Sequence, residues 1–253
     1  RIDTILSLLR LSGNISVEML SKKLKVSVVT VRRDLDLLEQ KNLLRRKHGG
    51  AVSIEPLFYE PFKNDHSFQS HIGRFSDEKK RIGRAAAALI GRGETIGLTP
   101  GTTTSEVIRG LPLDHDITVV TNTVNIAMEL CRRKDLKVFV TGGHLRGDWF
   151  SLVGPTAVQS LQQVLIDTLF IGADGLDAKW GATCLSPDEA TLNAAMVRQA
   201  RRKIAVVDHS KLGKRASWQI CNTQEIDMLI TDAKATDKAV DPFRSVGIKV
   251  LTV

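Results

Sequence analysis

The chain has 253 residues, of which 42% are hydrophobic and 25% are charged. This length allows one large domain or two, with a sizeable core. No apolar run approaches the ~20 residues that a membrane span needs and no signal-peptide pattern opens the chain, so we expect a cytoplasmic protein without a membrane partner. The three cysteines are widely spaced and odd in number, which fits a reducing compartment. Because the sequence starts without a methionine, we expect a short leader to be missing from this numbering.

Positive charge is concentrated near the start of the chain. The formal net charge is +8, and residues 1–53 hold 11 Lys/Arg against 5 Asp/Glu. The remaining residues hold 25 against 23. A local basic excess favours a polyanionic partner such as DNA. Charge alone leaves open a basic domain with no such partner.

The first part of the basic segment, up to Leu38, predicts three helices. Apolar residues at helical spacing run from Ile2 to Leu9, and the pattern ends near Ser12-Gly13. Ser16 is a suitable N-cap for a second short helix, and Ser27 is one for a third after a tight turn at Lys25-Val26. In the third helix the apolar residues fall on one face: Val28, Val31, Leu35 and Leu38.

The other face of the third helix predicts DNA contact. A capped third helix after a short turn, with arginines outward, is what reading of the major groove requires. The candidate residues are Ser27, Val29, Thr30, Arg32 and Arg33. The alternative is a solvated helix face on which the arginines pair with Asp36.

A wing is predicted after the third helix. Two short extended runs within residues 43–52 can pair as a hairpin, with basic residues on its exposed edge for contact with the DNA backbone or minor groove. The candidate wing residues are Arg45, Arg46, Lys47 and His48. We therefore predict a winged helix-turn-helix domain at 1–53.

The rest of the chain predicts a linker and an α/β domain. Residues 54–76, with two prolines and several aromatics, suggest an irregular linker. From Asp77 onward, strand-like and helix-like segments alternate, including a helix at about 187–202 before a strand at 203–207. This alternation favours an open, mostly parallel sheet with helices on both faces over residues 77–253.

Small and polar residues cluster at the predicted strand ends, where ligands bind in such sheets. The turn at 100–105 can cradle a phosphate with its glycine, its hydroxyls and a helix N-terminus, although a tight capped turn is the alternative. The candidate effector-binding residues are Gly101, Thr102, Thr103, Thr104, Asn122, Gly142, Gly143, Arg146, Asp174 and Lys211. The alternative is turn formation for Asn122 and a solvated charge for Arg146 and Lys211. The sequence shows no P-loop, dinucleotide fingerprint or metal-ligand spacing, so we expect no cofactor and no metal.

Motifs along nearly the whole chain resemble one family. Arg1-x3-Ile5-x3-Leu9, Ser27-x2-Thr30-Val31-Arg32-Arg33-Asp34-Leu35 and the wing run at 46–51 resemble the N-terminal signature of the DeoR family of bacterial repressors. Further runs resemble the DeoR sensor domain in order and spacing: 101–104, 121–122, 141–143, 188–190 and 208–211. Many members carry an acidic residue just before the glycine-threonine turn, where this chain has Thr99-Pro100, and that departure bears on the identity of the effector.

The resemblance implies a regulator of transcription. Its partners would be double-stranded operator DNA and a phosphorylated sugar, with assembly as a homodimer or homotetramer. The resemblance adds Glu189 to the effector-binding residues, and it implies a sensor domain similar to ribose-5-phosphate isomerase.

That enzyme carries an Asp-Gly-Ala-Asp-Glu stretch where this chain reads Ile171-Gly172-Ala173-Asp174-Gly175. Because two of the three acids are missing, we expect binding without turnover rather than isomerisation. The alternatives are an isomerase with a DNA-binding appendage and an architectural DNA-binding protein without a ligand.

Overall fold

The computed structural model describes residues 1–41, 43–52, 73–131 and 133–253. The chain divides into two compact units, one of which holds residues 1–52 and the other most of residues 73–253. The predicted linker lies largely outside the described residues. In the described part of the chain, no helix combines the length and the apolar character that crossing a membrane requires.

The N-terminal unit contains three helices and a small antiparallel sheet. Its elements are α1 (Ile2–Ser12), β1 (Asn14–Ser16), α2 (Val17–Leu24), α3 (Val28–Gln40), β2 (Arg45–Lys47) and β3 (Gly50–Val52). The predicted caps are present: Ser16 Oγ accepts a hydrogen bond from Met19 N, and Ser27 Oγ accepts one from Thr30 N, each at 3.1 Å. The apolar faces of the helices meet in one core, with these residues buried: Ile5, Leu9, Leu20, Val31, Leu35 and Leu38.

The hairpin predicted as a wing is confirmed, and a third strand joins it. Strand β3 lies between β2 and β1 and is antiparallel to both. A Cβ on Gly50 would lie 2.1 Å from the carbonyl oxygen of Ile15, so only glycine lets β1 approach this closely. Strand β1 was not predicted because three residues between two helices carry too little pattern to indicate a strand.

The second unit is built on a seven-stranded parallel sheet in the order β15-β14-β12-β9-β4-β5-β6. Its strands are β4 (Thr95–Leu98), β5 (Thr118–Thr121), β6 (Lys137–Val140), β9 (Ile166–Ile171), β12 (Ala200–Val206), β14 (Met228–Thr231) and β15 (Lys249–Thr252). Its helices are α4 (Ser76–Ala87), α5 (Thr102–Arg109), α6 (Val124–Leu130), α7 (Pro155–Ser160), α8 (Pro187–Gln199) and α9 (Asp237–Ser245). The open, parallel α/β architecture predicted from the sequence is confirmed.

Helices cover both faces of this sheet. Along β9, Leu169 and Ile171 belong to one hydrophobic core and Phe170 belongs to the other. Helices α7, α8 and α9 contribute to the first core, whereas α4, α5 and α6 contribute to the second. Burial on both faces explains the nearly continuous apolar runs of the central strands.

Some features differ from the sequence-based expectations. Helix α8 ends at Gln199, because β12 begins at Ala200 and pairs with β9 from there, so the predicted helix was three residues too long. Helix α4 begins at Ser76, one residue before the predicted start. Helix α9 was not predicted. Two antiparallel additions were also not predicted: a hairpin of β7 (His144–Arg146) and β8 (Ser151–Val153), and a sheet of β10 (Gly175–Asp177), β11 (Gly181–Cys184) and β13 (Trp218–Cys221).

The strand order creates a switch point beside β4. From β4 the chain continues through β5 to β6 on one side, whereas β9 leads through β12 and β14 to β15 on the other. In open α/β sheets the crevice outside the carboxyl ends of such a strand pair is the usual place for a ligand. The loops after β4 and β9, at 99–101 and 172–174, therefore flank the expected crevice.

Candidate functional site

A cavity lies at this switch point in the second unit. Its empty volume is about 740 Å³, including the part open to solvent. The described residues that line it come from the loops after β4, β9 and β12, from α4 and the residues just before it, from the start of α5, from α8, from the end of β11 and from the 3-10 turn Gly147–Trp149. They include Arg74, Phe75, Lys79, Gly101, Thr102, Thr103, Trp149, Asp174, Cys184, Glu189, Asn193, Asp208, Ser210 and Lys211.

The turn after β4 is built around its own hydroxyl groups. Gly101 has a backbone φ of 153°, a value that residues with a side chain rarely adopt, and it directly precedes α5. Thr104 Oγ1 donates to the carbonyl oxygens of Thr99 and Gly101 at 2.8 Å, and Thr99 Oγ1 accepts from Gly172 N at 2.9 Å. These bonds join the loops after β4 and β9. The N-terminus of α5 at Thr102 and Thr103 is thereby presented to the cavity, with the partial positive charge of a helix start.

Cationic side chains line the same cavity. Lys79 is buried, and burial lowers the pKa of its ammonium group below the ordinary lysine value, while the Asp208 carboxylate opposes this shift. Lys211 Nζ lies 4.0 Å from Asp174 Oδ1. Arg74 stands at the exposed rim. A buried ammonium group whose charged form is disfavoured gains from a bound anion, so the wall suits a negatively charged ligand.

The carboxylates of the cavity are held in place by neighbouring groups. Glu189 Oε1 accepts from Ser151 Oγ at 2.5 Å and lies 3.6 Å from Arg146 Nη1. Asp174 Oδ2 accepts from Leu185 N at 3.0 Å. Asp208 Oδ1 accepts from Ser210 N at 3.0 Å and caps the 3-10 turn that carries Lys211. Fixed carboxylates beside cations can accept hydrogen bonds from the hydroxyl groups of a polar ligand.

The structure brings six of the predicted effector residues to this cavity: Gly101, Thr102, Thr103, Asp174, Glu189 and Lys211. The other five do not line it. Thr104 is fully buried in the turn, and Asn122 is fully buried with its Nδ2 donating to Leu152 O at 3.2 Å. Gly142 and Gly143 follow edge strand β6, away from the switch point. Arg146 Nη1 lies 3.6 Å from Oε1 of Glu189, which does line the cavity.

Several lining residues were not predicted. Lys79 lies in a run of charged residues on α4 that resembles a solvated helix face, and Trp149 belongs to an unpredicted hairpin. Asn193 is buried in α8, and its Oδ1 has no hydrogen-bond partner among the described residues. A polar residue inside an otherwise apolar helix face was the available signal for Asn193. Among the described residues, no group of three or more His, Cys, Asp or Glu side chains could hold a metal ion.

In the N-terminal unit, α3 presents the predicted outward face. Val29 is 60% exposed, and Arg32 and Arg33 are also exposed. Ser27 and Thr30 are committed to the cap, where their side-chain oxygens lie 2.9 Å apart. Asp36, which we considered as a partner of these arginines, pairs with Arg46 instead.

The wing places its basic residues on two sides. Arg45, Lys47 and His48 are exposed, as predicted. Arg46 is not on the exposed edge, because side chains alternate along a strand and its guanidinium group turns back onto α3. The expectation that all four residues face outward is therefore corrected at Arg46.

Comparisons with known proteins cover both units. Residues 1–56 match the family model described as the DeoR-like helix-turn-helix domain, and residues 74–233 match the DeoR C terminal sensor domain. The HTH-type transcriptional regulator GlpR of Haloferax volcanii is 37% identical, over 98% of this chain and 94% of that protein. The putative aga operon transcriptional repressor of Escherichia coli O157:H7 is 35% identical, over 100% and 93%. Ribose 5-phosphate isomerase A from Methanocaldococcus jannaschii is a solved structure with 18% identity and a TM-score of 0.41, covering 54% of each chain.

Proposed function

Since this chain belongs to the DeoR family of DNA-binding transcriptional regulators, we propose that it represses sugar-metabolism genes under the control of a phosphorylated sugar. In this proposal residues 1–53 bind the operator, residues 54–76 link the domains, and residues 77–253 bind the effector and drive assembly. Binding of the effector weakens binding to DNA. The observation that carries the effector proposal is the cavity at the switch point, where a helix N-terminus and two lysines meet three carboxylates.

The phosphate is assigned to the cationic part of the cavity. The start of α5 at Thr102 and Thr103 offers backbone N–H groups, since the first turn of a helix leaves them without intrahelical partners. Lys79 and Lys211 supply positive charge at the same cavity. A phosphate bound there would restore a favourable environment for the buried Lys79 ammonium group.

The sugar hydroxyl groups are assigned to the acceptors. Asp174 and Glu189 can accept from hydroxyl groups, and the Oδ1 of Asn193 lacks a described partner. The carboxylates are already engaged with Leu185 N and Ser151 Oγ. We propose binding without isomerisation, because Ile171 and Gly175 stand where the isomerase stretch carries two of its three acids.

On the DNA side, the exposed face of α3 is assigned to the major groove and the wing to the backbone. Arg32 and Arg33 can read guanine or hold phosphate, and Val29 can contact a thymine methyl group.

One recognition helix covers few base pairs, so we propose that a homodimer or homotetramer binds repeated half-sites. Light scattering at micromolar protein measures the assembly, and a monomer both with and without DNA contradicts this part of the proposal.

A thermal-shift screen tests the effector assignment. We expect at least one sugar phosphate to raise the melting temperature by mass action, while the corresponding unphosphorylated sugar does not. Lys211→Met should remove the shift, whereas Lys238→Met on the exposed face of α9 should keep it. Equal shifts in both variants contradict the assignment of the cavity. Conversion of ribose 5-phosphate to ribulose 5-phosphate by the purified protein contradicts binding without turnover.

A further inference from the structure

The guanidinium group of Arg46 is engaged by α3, the helix to which the proposed function assigns DNA recognition. Its Nη1 pairs with a carboxylate oxygen of Asp36 and donates to the carbonyl oxygen of Arg32 at 3.3 Å. Only 24% of the Arg46 side chain is exposed. The neighbouring wing residues Arg45 and Lys47 are exposed, so Arg46 is the member of this basic run that faces the domain and not the solvent.

The backbone of Arg46 is tied to the same helix. Arg46 N donates to Glu39 Oε1 at 2.6 Å. Positions 32, 36 and 39 are spaced by four and three residues, so they form one stripe along α3. Strand β2 is therefore attached to the recognition helix at three points by a single residue. With only three residues in β2, pairing to β3 alone would leave the orientation of the wing weakly determined.

We propose that Arg46 is a positioning residue that sets the wing against the recognition helix and makes no contact with DNA. It acts through Asp36, whose side chain is 57% exposed on the helix that carries Arg32 and Arg33. This pair fixes the orientation of the wing relative to α3. The proposal assigns the base and phosphate contacts to the exposed side chains of Arg32, Arg33, Arg45 and Lys47.

The salt dependence of DNA binding separates positioning from phosphate contact. The slope of log K against log salt is negative, and each phosphate contact that is lost reduces its magnitude by about 1. The probe is a duplex that the wild-type protein selects from a random library, bound by the full-length protein. We expect Arg46→Ala to weaken binding about tenfold with an unchanged slope. The matched wing variant Lys47→Ala should flatten the slope by about 1.

Two further variants protect this test against a simple loss of folding. Arg46→Lys keeps the charge, but its side chain ends one atom short of the Nη1 that contacts both Asp36 and the carbonyl oxygen of Arg32. We expect it to lose affinity without a change in slope, at an unchanged melting temperature. In an Asp36→Ala background, Arg46→Ala should cost much less than it does in the wild type. A slope reduced by about 1 in Arg46→Ala, full affinity in Arg46→Lys, or additive effects of Asp36→Ala and Arg46→Ala would each overturn the proposal.

Discussion

The ring of Phe75 meets the imidazole of His209 edge-on, with centroids 4.6 Å apart and planes at 65°. Phe75 lines the cavity and directly precedes α4, so it lies at the point where the chain enters the sensor domain. His209 follows Asp208 and precedes Ser210 and Lys211, and its Nδ1 lies 3.0 Å from Oδ1 of the buried Asp232. The turn that lines the cavity thus touches Phe75, which lies near the end of the predicted linker at 54–76.

This contact predicts a route from effector to linker. In His209→Ala, we expect the sugar phosphate with the largest thermal shift on the wild type still to bind. Phe75→Leu alters the cavity lining, so this variant is compared at saturating ligand. Allosteric coupling of about 1–3 kcal/mol changes affinity by about 5–150-fold. We expect the ligand to change the DNA affinity of these variants by about threefold or less. Gel-shift titration with and without ligand measures this change.

The control for the coupling prediction is Phe139→Leu, on edge strand β6. It should respond to ligand as the wild type does. A normal response of His209→Ala and Phe75→Leu refutes this route, and it does so independently of whether the ligand assignment itself is correct.

The cradle at the start of α5 predicts the effect of a fixed negative charge. Thr103→Glu places a carboxylate where we assign the phosphate, so effector binding should be lost by charge repulsion. DNA binding should persist, because the substitution lies in the sensor domain. Thermal shift with the same sugar phosphate and a gel shift measure the two properties. Thr252→Glu, exposed on β15, is the matched control, and a normal ligand response of Thr103→Glu means that the turn is only structural.

The exposed face of α3 predicts a specific loss of DNA affinity. Arg32→Ala with Arg33→Ala should cost about 1–3 kcal/mol for each base-reading contact. Lys238→Ala with Lys249→Ala removes the same charge from exposed positions of the sensor domain and should leave affinity nearly unchanged. Gel-shift titration measures both, with circular dichroism to check the fold. Equal affinities of the two double variants would contradict a role of α3 in recognition.

The buried Lys79 predicts a pH dependence of anion binding. Burial lowers its pKa, and a bound anion raises the pKa again, so binding takes up a proton when the pH lies between the two values. Affinity should therefore fall as the pH rises through that interval, below the ordinary lysine value of 10.5. Sulfate is a suitable probe because its own charge does not change there, and the thermal shift at several pH values measures it.

Lys79→Arg tests the origin of this pH dependence. Arginine stays charged throughout the interval, so the variant should bind sulfate with a flat pH profile. An equally steep profile in Lys79→Arg, or a flat profile in the wild type, would show that Lys79 does not titrate on binding.

Much of the fold could be predicted because its signals are local. Helix caps at Ser16 and Ser27 depend on a few neighbouring residues, and the apolar face of α3 follows from its spacing. Alternation of strands and helices likewise indicates a parallel sheet before any contact is known. The glycine-threonine turn was found because a helix start after a strand has a recognisable composition.

The composition of the cavity was harder to predict, because strand order is set by packing between distant segments. The placement of β4 next to β9 joins Gly101 to Asp174 across more than seventy positions, and α4 brings Lys79 to the same point. Thr104 and Asn122 have suitable chemistry, but their side chains serve the turn and the hairpin. The motif therefore indicated the location of the candidate site and only part of its lining.

The sequence by itself determined the two domain types, the caps, the outward face of α3 and the basic wing, since helical periodicity, capping and charge act over a few residues. Tertiary structure alone decided which side chains share a cavity and which way Arg46 turns. These outcomes depend on long-range pairing: β2 lies against α3 and directs Arg46 to Asp36, while the neighbouring Arg45 and Lys47 stay exposed. Three adjacent basic residues read alike in the sequence, and the alternation of a strand against a packed helix separates them.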